Sequence, residues 1–201
     1  MQKNERLNVV RVIILTVVLV IIDQISKLMI KGFSIPFLGI SHKGMEYGNS
    51  FNVIDGIFKI TFIENPGMAF GLEIIGKLGL CLFTVAATIL IIYFIYLNRN
   101  ESRYLRIALA FILGGAVGNL IDRTFYGMMY GYAPIFYGKV VDFFHVDIQN
   151  LKLFGKIINY PIFNVADIAV TVGFVMILLG YKVIFHKKAG TSPAETISIN
   201  E

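Results

Sequence analysis

Asp142 and Asp167 are the residues whose types and settings could do chemistry in this chain. Asp142 sits in Val140-Val141-Asp142-Phe143-Phe144, among β-branched and aromatic neighbours, and Asp167 closes Phe163-Asn164-Val165-Ala166-Asp167 at the head of an apolar run over 168–184. An acid inside a membrane-length helix is costly, by about 2.5–3.5 kcal/mol at the centre and less near the end, so such residues face a polar cavity or a partner rather than lipid. Two carboxylates in a poorly solvated cleft cannot both ionise easily, so one pKa rises and the pair shares a proton. The ionised member can then take a proton from a water while the protonated one hydrogen-bonds a carbonyl, which is hydrolysis of the aspartic-protease kind. A plainer account fits the same residues: Asp167 caps its helix and Asp142 is merely interfacial.

The elements that must position these acids are membrane helices. The chain has 201 residues, 56% of them hydrophobic and only 15% charged, with a mean hydropathy of +0.72, whereas a soluble domain carries about 25% charge. One small integral membrane domain covering 1–201 is the expectation. The net charge of +5 does not point to nucleic acid, because Arg99, Arg103, Arg106, Lys182, Lys187 and Lys188 flank apolar segments, where basic residues set topology. Cys81, the single cysteine, lies in an apolar run, so there is no disulfide framework and no metal-type cysteine spacing.

Four helices are expected, over about 9–30, 74–97, 104–121 and 162–185. The first is too long for a signal-peptide core and lacks a cleavage site after it, so it reads as an uncleaved span. Asp23 and Lys27 share one of its faces at i and i+4, as a compensating pair turned inward with Lys27 snorkelling outward, or as a substrate contact. Residues 31–73 form a long outer segment. Within it Phe58-Lys59-Ile60-Thr61-Phe62-Ile63 alternates as a strand does, and Glu64-Asn65-Pro66-Gly67 has the residue types of a turn. A loop of this length in so small a protein suggests a binding role, against a lightly ordered surface loop. Gly114-Gly115-Ala116-Val117-Gly118 in the third helix suits close helix packing, or the approach of a substrate backbone. Asn119 and Arg123 share a face at its end, beside Asp122. Residues 124–160 read as interfacial and aromatic-rich, with a partly amphipathic piece around 147–158, and 186–201 as a disordered polar tail.

With four spans, the N-terminus, the 98–106 link and the 182–188 end share one side and the basic excess, which the positive-inside rule makes cytoplasmic. Both aspartates then fall at the outer face and at similar depth. No His-Glu-x-x-His, cysteine cluster, Gly-x-Ser-x-Gly or phosphate-binding loop is present, so an enzyme built on this chain must rely on its own carboxylates. His145 reads as interfacial rather than as a base. No metal or cofactor is expected.

Five ordered blocks carry a resemblance: Asp23-Gln24-Ile25-Ser26-Lys27; Asn65-Pro66-Gly67-Met68-Ala69-Phe70-Gly71; Gly118-Asn119-Leu120-Ile121-Asp122-Arg123; Val140-Val141-Asp142-Phe143; and Phe163-Asn164-Val165-Ala166-Asp167. In these the chain resembles the bacterial lipoprotein signal peptidases, or signal peptidase II, from Asp23 to about Gly173. The resemblance implies a mainly α integral membrane protein of four transmembrane helices, with a small extracytoplasmic β-cradle and an interfacial helix. It implies an intramembrane aspartyl endopeptidase that removes signal peptides from diacylglyceryl-modified prolipoproteins, cutting just before the lipid-bearing cysteine at the outer face of the cytoplasmic membrane. Asp142 and Asp167 match the family's catalytic pair. Asn65, Asn119, Arg123 and Asn164 match its substrate-binding residues, and Asp23 and Lys27 match a supporting pair. Asp122, the main competitor for a catalytic place, reads as a helix-end residue orienting Arg123. Membrane lipid and globomycin-type cyclic peptides are the implied partners besides substrate, no nucleic acid is expected, and a monomer is.

The segments before Asn65 and between Arg123 and Asp142 are longer than the family pattern, and the polar tail is extra. Two other classes remain to be separated by experiment: a proton-relay or transport subunit, because intramembrane acids also mark ion paths, and a non-catalytic adaptor using the long loop.

Overall fold

The computed structural model describes residues 2–67, 76–99, 102–147, 152–153, 156–157 and 161–180. Helix α1 (Gln2–Lys31) is rich in Val, Ile and Leu, which bury nothing against protein on most of its circumference: Ile14, Val17, Val18, Ile21 and Ile25 are exposed, as suits a lipid-facing surface. Its buried face steps through Val12, Thr16, Asp23 and Lys27, at intervals of four, seven and four that keep to one side of a helix. The helix stops where Gly32 takes φ +84°, in the left-handed region that glycine tolerates.

The outer segment is built of strands. β1 (Phe33–Ile35) pairs antiparallel with β2 (Ile40–His42), and β3 (Ser50–Ile54) with β4 (Phe58–Asn65). The strand expected at 58–63 runs on through Glu64 and Asn65, so the turn is confined to Pro66 and Gly67. The extension occurs because β4 also pairs with β5 (Val140–Val146), with Ile63 opposite Asp142 and Asn65 opposite Val140. The spatial order is β3-β4-β5.

Helix α2 (Gly76–Leu97) starts two residues inside the expected bound, and 74–75 lie outside the described residues. Helix α3 (Arg103–Ile121), capped by Ser102, is the centre of the bundle and packs against α1, α2 and the last helix, α5 (Val165–Leu179). It does not end at 121. A π-type turn over Asp122–Tyr126 and a short helix α4 (Gly127–Met129) continue it, and only Gly131, at φ +69°, with Pro134 close behind, stops it. Among the described residues of 124–160, the helical part prolongs the third helix. Of the piece around 147–158, expected to be partly amphipathic, the described residues include the two-residue strands β6 (Lys152–Leu153) and β7 (Lys156–Ile157). Helix α5 begins at Val165 because Asn164 caps it. Residues 181–185 and the tail 186–201 lie outside the described residues.

Among the described residues, three helices are long and apolar enough to cross a membrane, over Val9–Lys31, Gly76–Leu97 and Arg103–Met129, and Val165–Leu179 is a shorter apolar one. The α3–α5 contact brings backbone against backbone. A Cβ at Gly115 would overlap the Ala166 carbonyl and crowd Val170, and one at Gly173 would meet the Ala108 carbonyl and Ile112. Gly115→Ala should therefore destabilise by about 1–3 kcal/mol through overpacking, despite the roughly 1 kcal/mol that alanine gains in helix propensity. A thermal melt in detergent measures it, and an unchanged midpoint would mean that the helices can part at no cost.

Candidate active site

Asp142 lies on β5 rather than on a helix, and a second pairing fixes where it points. The Phe163 carbonyl accepts from the backbone N–H of Phe143 (3.1 Å) and Phe144 (2.8 Å), which joins the strand to the chain entering α5. The next residue, Asn164, is fully buried. Its side-chain oxygen accepts from the Asp167 N–H (3.0 Å) while its own N–H donates to Asp167 Oδ2 (3.2 Å), a reciprocal capping box. Its Nδ2 donates to Asp142 Oδ1 at 2.6 Å, and also to Asn119 Oδ1 (3.1 Å) and the Val141 carbonyl (3.2 Å). One asparagine thus holds both aspartates.

Two further amides aim at the pair, and their orientation is forced. Asn65 Oδ1 accepts from the Gly67 N–H (2.8 Å), which turns its Nδ2 onto Asp142 Oδ2 (3.1 Å). Asn119 Oδ1 accepts from Lys27 Nζ (3.0 Å), a group that can only donate, so its Nδ2 faces Asp167 Oδ1 (2.8 Å). Arg123 donates to the Asn119 carbonyl (3.5 Å), and its charge reaches Asp122, Asp167 and Asp142.

Asp142 is almost wholly buried. Burial and then the charge of Asp167 push its carboxyl up to about 7, against the opposing bonds from Asn65 and Asn164. The charge of Asp167 thus reaches Asp142, which can keep its proton at neutral pH.

Beneath them lies an ion cluster of five charged or amide side chains, Lys27, Asp23, Asp122, Asn119 and Gln24. Lys27 is completely buried, so it does not snorkel, and its three N–H groups go to Asp23 Oδ2 (2.8 Å), Asp122 Oδ2 (2.8 Å) and Asn119. Asp23 Oδ1 accepts from the Ala166 N–H (2.9 Å), and Asp122 Oδ2 from the Val141 N–H (3.1 Å). Each carboxylate grips the backbone amide just before one of the focal aspartates. Asp122 is thus bonded to Lys27, Gln24 and β5, and its charge also acts on Arg123 beside it. Sequence reasoning missed Gln24, whose Nε2 donates to Asp122 Oδ1 (2.9 Å) and the Gly118 carbonyl (3.1 Å) while its Oε1 accepts from the Tyr126 hydroxyl (3.1 Å). Its i, i+3 relation to Lys27 was the available signal.

Near the mouth, Glu64 joins Lys31 and Lys139 (3.1 Å). Burial opposes ionisation of Glu64, but the two lysines outweigh it and hold the carboxyl below its usual range. His145 bonds Thr61 (3.0 Å) and stands apart from the pair's hydrogen bonds. Among the described residues no group of three or more His, Cys, Asp or Glu side chains is placed to hold a metal ion.

The sequence profile of the family described as "Signal peptidase (SPase) II" matches residues 15–183. The chain belongs to the signal peptidase II family. A lipoprotein signal peptidase of Chlorobaculum parvum is 32% identical over 176 residues, covering 87% of this chain and 97% of that protein. One from Pelodictyon phaeoclathratiforme is 33% identical over 147 residues, covering 73% and 80%. A bacterial membrane enzyme solved in meso at 1.9 Å resolution superposes with a TM-score of 0.63 at 30% identity, over 85% of this chain and 92% of that one. This signal peptidase is accordingly a protease, a hydrolase held in the membrane by several helices. The α-helical membrane architecture with small antiparallel sheets, expected from the resemblance, is the one found.

Proposed function

We propose that this signal peptidase is an aspartic endopeptidase acting on diacylglyceryl-modified prolipoproteins, with Asp142 and Asp167 as its catalytic pair, and that it cuts just before the lipid-bearing cysteine. The observation that carries this reading is the setting of Asp142: buried, raised to about 7 by burial and by Asp167, and sharing with Asp167 the amides of Asn164. The names of the relatives point the same way.

In this reading Asp142 carries the shared proton and hydrogen-bonds the scissile carbonyl, while Asp167 takes a proton from the attacking water. The water oxygen bonds to the carbonyl carbon. Collapse breaks the C–N bond as the amine nitrogen receives a proton from the pair. Asn65, whose amide also reaches Asp142, and Arg123 orient substrate, and Asn119 and Asn164 hold the pair in register. Asp23, Lys27 and Asp122 support them. The substrate's acyl chains keep it in the bilayer at about 0.8 kcal/mol per buried methylene, so enzyme and substrate meet by lateral diffusion. The termini face the cytoplasm of the inner membrane and the pair lies near the outer face, as the basic flanks favour. Globomycin-type cyclic peptides occupy the pair, and a single copy suffices.

The test is cleavage of a purified diacylglyceryl-modified prolipoprotein, followed on a gel across pH, with the unmodified precursor alongside. The active form holds one proton on the pair. Asp142 is protonated below about 7 and loses that proton above it, so the rate should fall with rising pH beyond this point and approach a tenfold loss per unit. A rate still climbing at pH 9, or equal cleavage of the unmodified precursor, would sink the proposal.

A further inference from the structure

Glu64 stands next to Asn65 on β4, yet its carboxylate goes to two lysines rather than to the aspartates. Residues opposite one another on paired strands share a face of the sheet, and successive residues along a strand alternate between faces. Ile63 lies opposite Asp142 and Asn65 opposite Val140, whereas Glu64 lies opposite Val141. Asn65 and Asp142 are therefore on one face and Glu64 is on the other. What Glu64 does to the pair passes through the backbone.

The carboxylate ties four segments together. It takes Lys31, the last residue of α1, and Lys139, the residue before β5 (3.1 Å). The Lys31 ammonium lies 4.2 Å from the ring centroid of Tyr130 and 5.2 Å from that of Tyr132, within cation–π range. The Lys139 ammonium lies 5.3 Å from the same Tyr132 ring. The Tyr130 hydroxyl donates to the Gly32 carbonyl (2.7 Å), and the Tyr132 hydroxyl accepts from the Lys139 N–H (2.9 Å). The ends of α1 and β4, the stretch after α4 and the approach to β5 thus meet on one anion. A neutral side chain in its place would leave two ammonium groups beside one ring with their shared countercharge gone.

The bond most exposed to such a change is the one from Asn65 Nδ2 to Asp142 Oδ2 (3.1 Å). Asn65 ends β4, and Pro66, which has no N–H to give to a ladder, follows it. Glu64 is where charge fastens that strand end.

We propose that Glu64 is a positioning residue of the aspartate pair: clamped by Lys31 and Lys139, it fixes the end of β4 so that Asn65 keeps its amide on Asp142. The proposal rests on the reading of Asp142 and Asp167 as catalytic. A donor to a carboxylate favours the ionised form, so the Asn65 amide holds the Asp142 proton affinity down against burial and Asp167. The other charged groups that face Asp142 are Asp167 on α5, Lys27 on α1 and Arg123 in the π-type turn, and a substitution at Glu64 alters none of them.

The experiment is the pH profile of prolipoprotein cleavage by the full-length protein, with a thermal melt of each variant. The two lysines hold the Glu64 carboxyl below its usual range, so it does not itself titrate between pH 6 and 9. Wild type should lose rate above about 7. Glu64→Gln should lower kcat/KM about tenfold through the misplaced Asn65 and move the alkaline fall upward by about half a pH unit as the amide bond weakens. The sign is diagnostic, because removal of a negative charge acting through space alone would move the fall downward. Lys59→Gln breaks another ion pair of the same strands, to Asp147 (2.9 Å) near the start of β4, and should leave the fall where it is. If Glu64→Gln does not fold, Glu64→Asp decides, since it keeps the charge, is one methylene too short to reach both lysines, and should shift the fall upward by less. An unmoved or lowered fall in the Glu64 variant, or an equal upward shift in Lys59→Gln, overturns the proposal and leaves the pair standing. A wild type with no alkaline fall removes the catalytic reading, and this proposal with it.

Discussion

Asp142→Asn and Asp167→Asn should each lower prolipoprotein cleavage by about 10²–10⁴-fold, the contribution of a positioned acid or base, while leaving the helical bundle intact. Asparagine keeps the volume of aspartate, and the Asn119 and Asn164 side chains that contact the pair remain in place. Stability gives an internal control for Asp142. Its folded-state pKa of about 7 lies above the ordinary 3.8, so the native state keeps a proton that the unfolded chain has lost. This group's contribution to stability is therefore full below about pH 4 and is lost as pH rises through about 7. Asp142→Asn should remove that dependence, and a melt series across pH 4–8 would record its disappearance. A folded variant at either position that still cleaves at near the normal rate would remove that acid from the catalytic pair. The same variants separate the other classes considered, since a transport subunit would lose ion flux and an adaptor would lose little.

Lys27→Met carries the largest expected cost in stability. Lys27 and its two carboxylate partners are all essentially excluded from solvent. Removing the cation strands Asp23 and Asp122 as two buried like charges, and breaking a buried ion pair in this way costs about 3–5 kcal/mol. Lys27→Arg should not rescue it, because a planar guanidinium cannot direct donors at three divergent acceptors as an ammonium does. K27M/D122N should recover part of the loss by removing one of the stranded charges. Thermal midpoints of the four proteins measure this. Cleavage should fall in whatever fraction of Lys27→Met folds, since the amides before both aspartates lose their anchors. If the midpoint shifts by less than about 1 kcal/mol equivalent, the ion cluster is not holding the bundle.

What could be read without coordinates was the part written in local pattern. The apolar runs exposed α1, α2 and α3, the alternation at 58–63 exposed β4, and the i, i+4 spacing of Asp23 and Lys27 exposed their pairing. What could not be read depended on pairing across the chain. That Asn65 continues a strand follows from β5 lying beside β4, some 75 residues away, and nothing near Asn65 announces it. Turn-type residues at 64–67 pointed the other way, because Pro66 and Gly67 do make the turn. The pattern predicts a Lys27 that pairs with Asp23 yet snorkels outward, as lysines in spans do. Burial of Asp122 beside it, from another helix, supplies the second countercharge that keeps it in. Helix α3 overran its expected end because Asp122-Arg123 resembles a polar boundary, whereas a π-type turn absorbs Asp122 into the bundle and the helix proceeds to Met129.

The anchoring of Ala166 and Val141 by Asp23 and Asp122 also bears on when during biosynthesis the enzyme can become active. A ribosome delivers the lysine helix first and the helix of Asp167 last. Until that final helix has docked, Asp23 has no amide to grip, Asn164 has no helix to cap, and Asp142 has no neighbouring acid to raise its proton affinity. A nascent chain therefore holds Asp142 and Asp167 apart, and the pair proposed as catalytic is not yet assembled. On the proposed reading, competence requires the first and last helices to meet across the third.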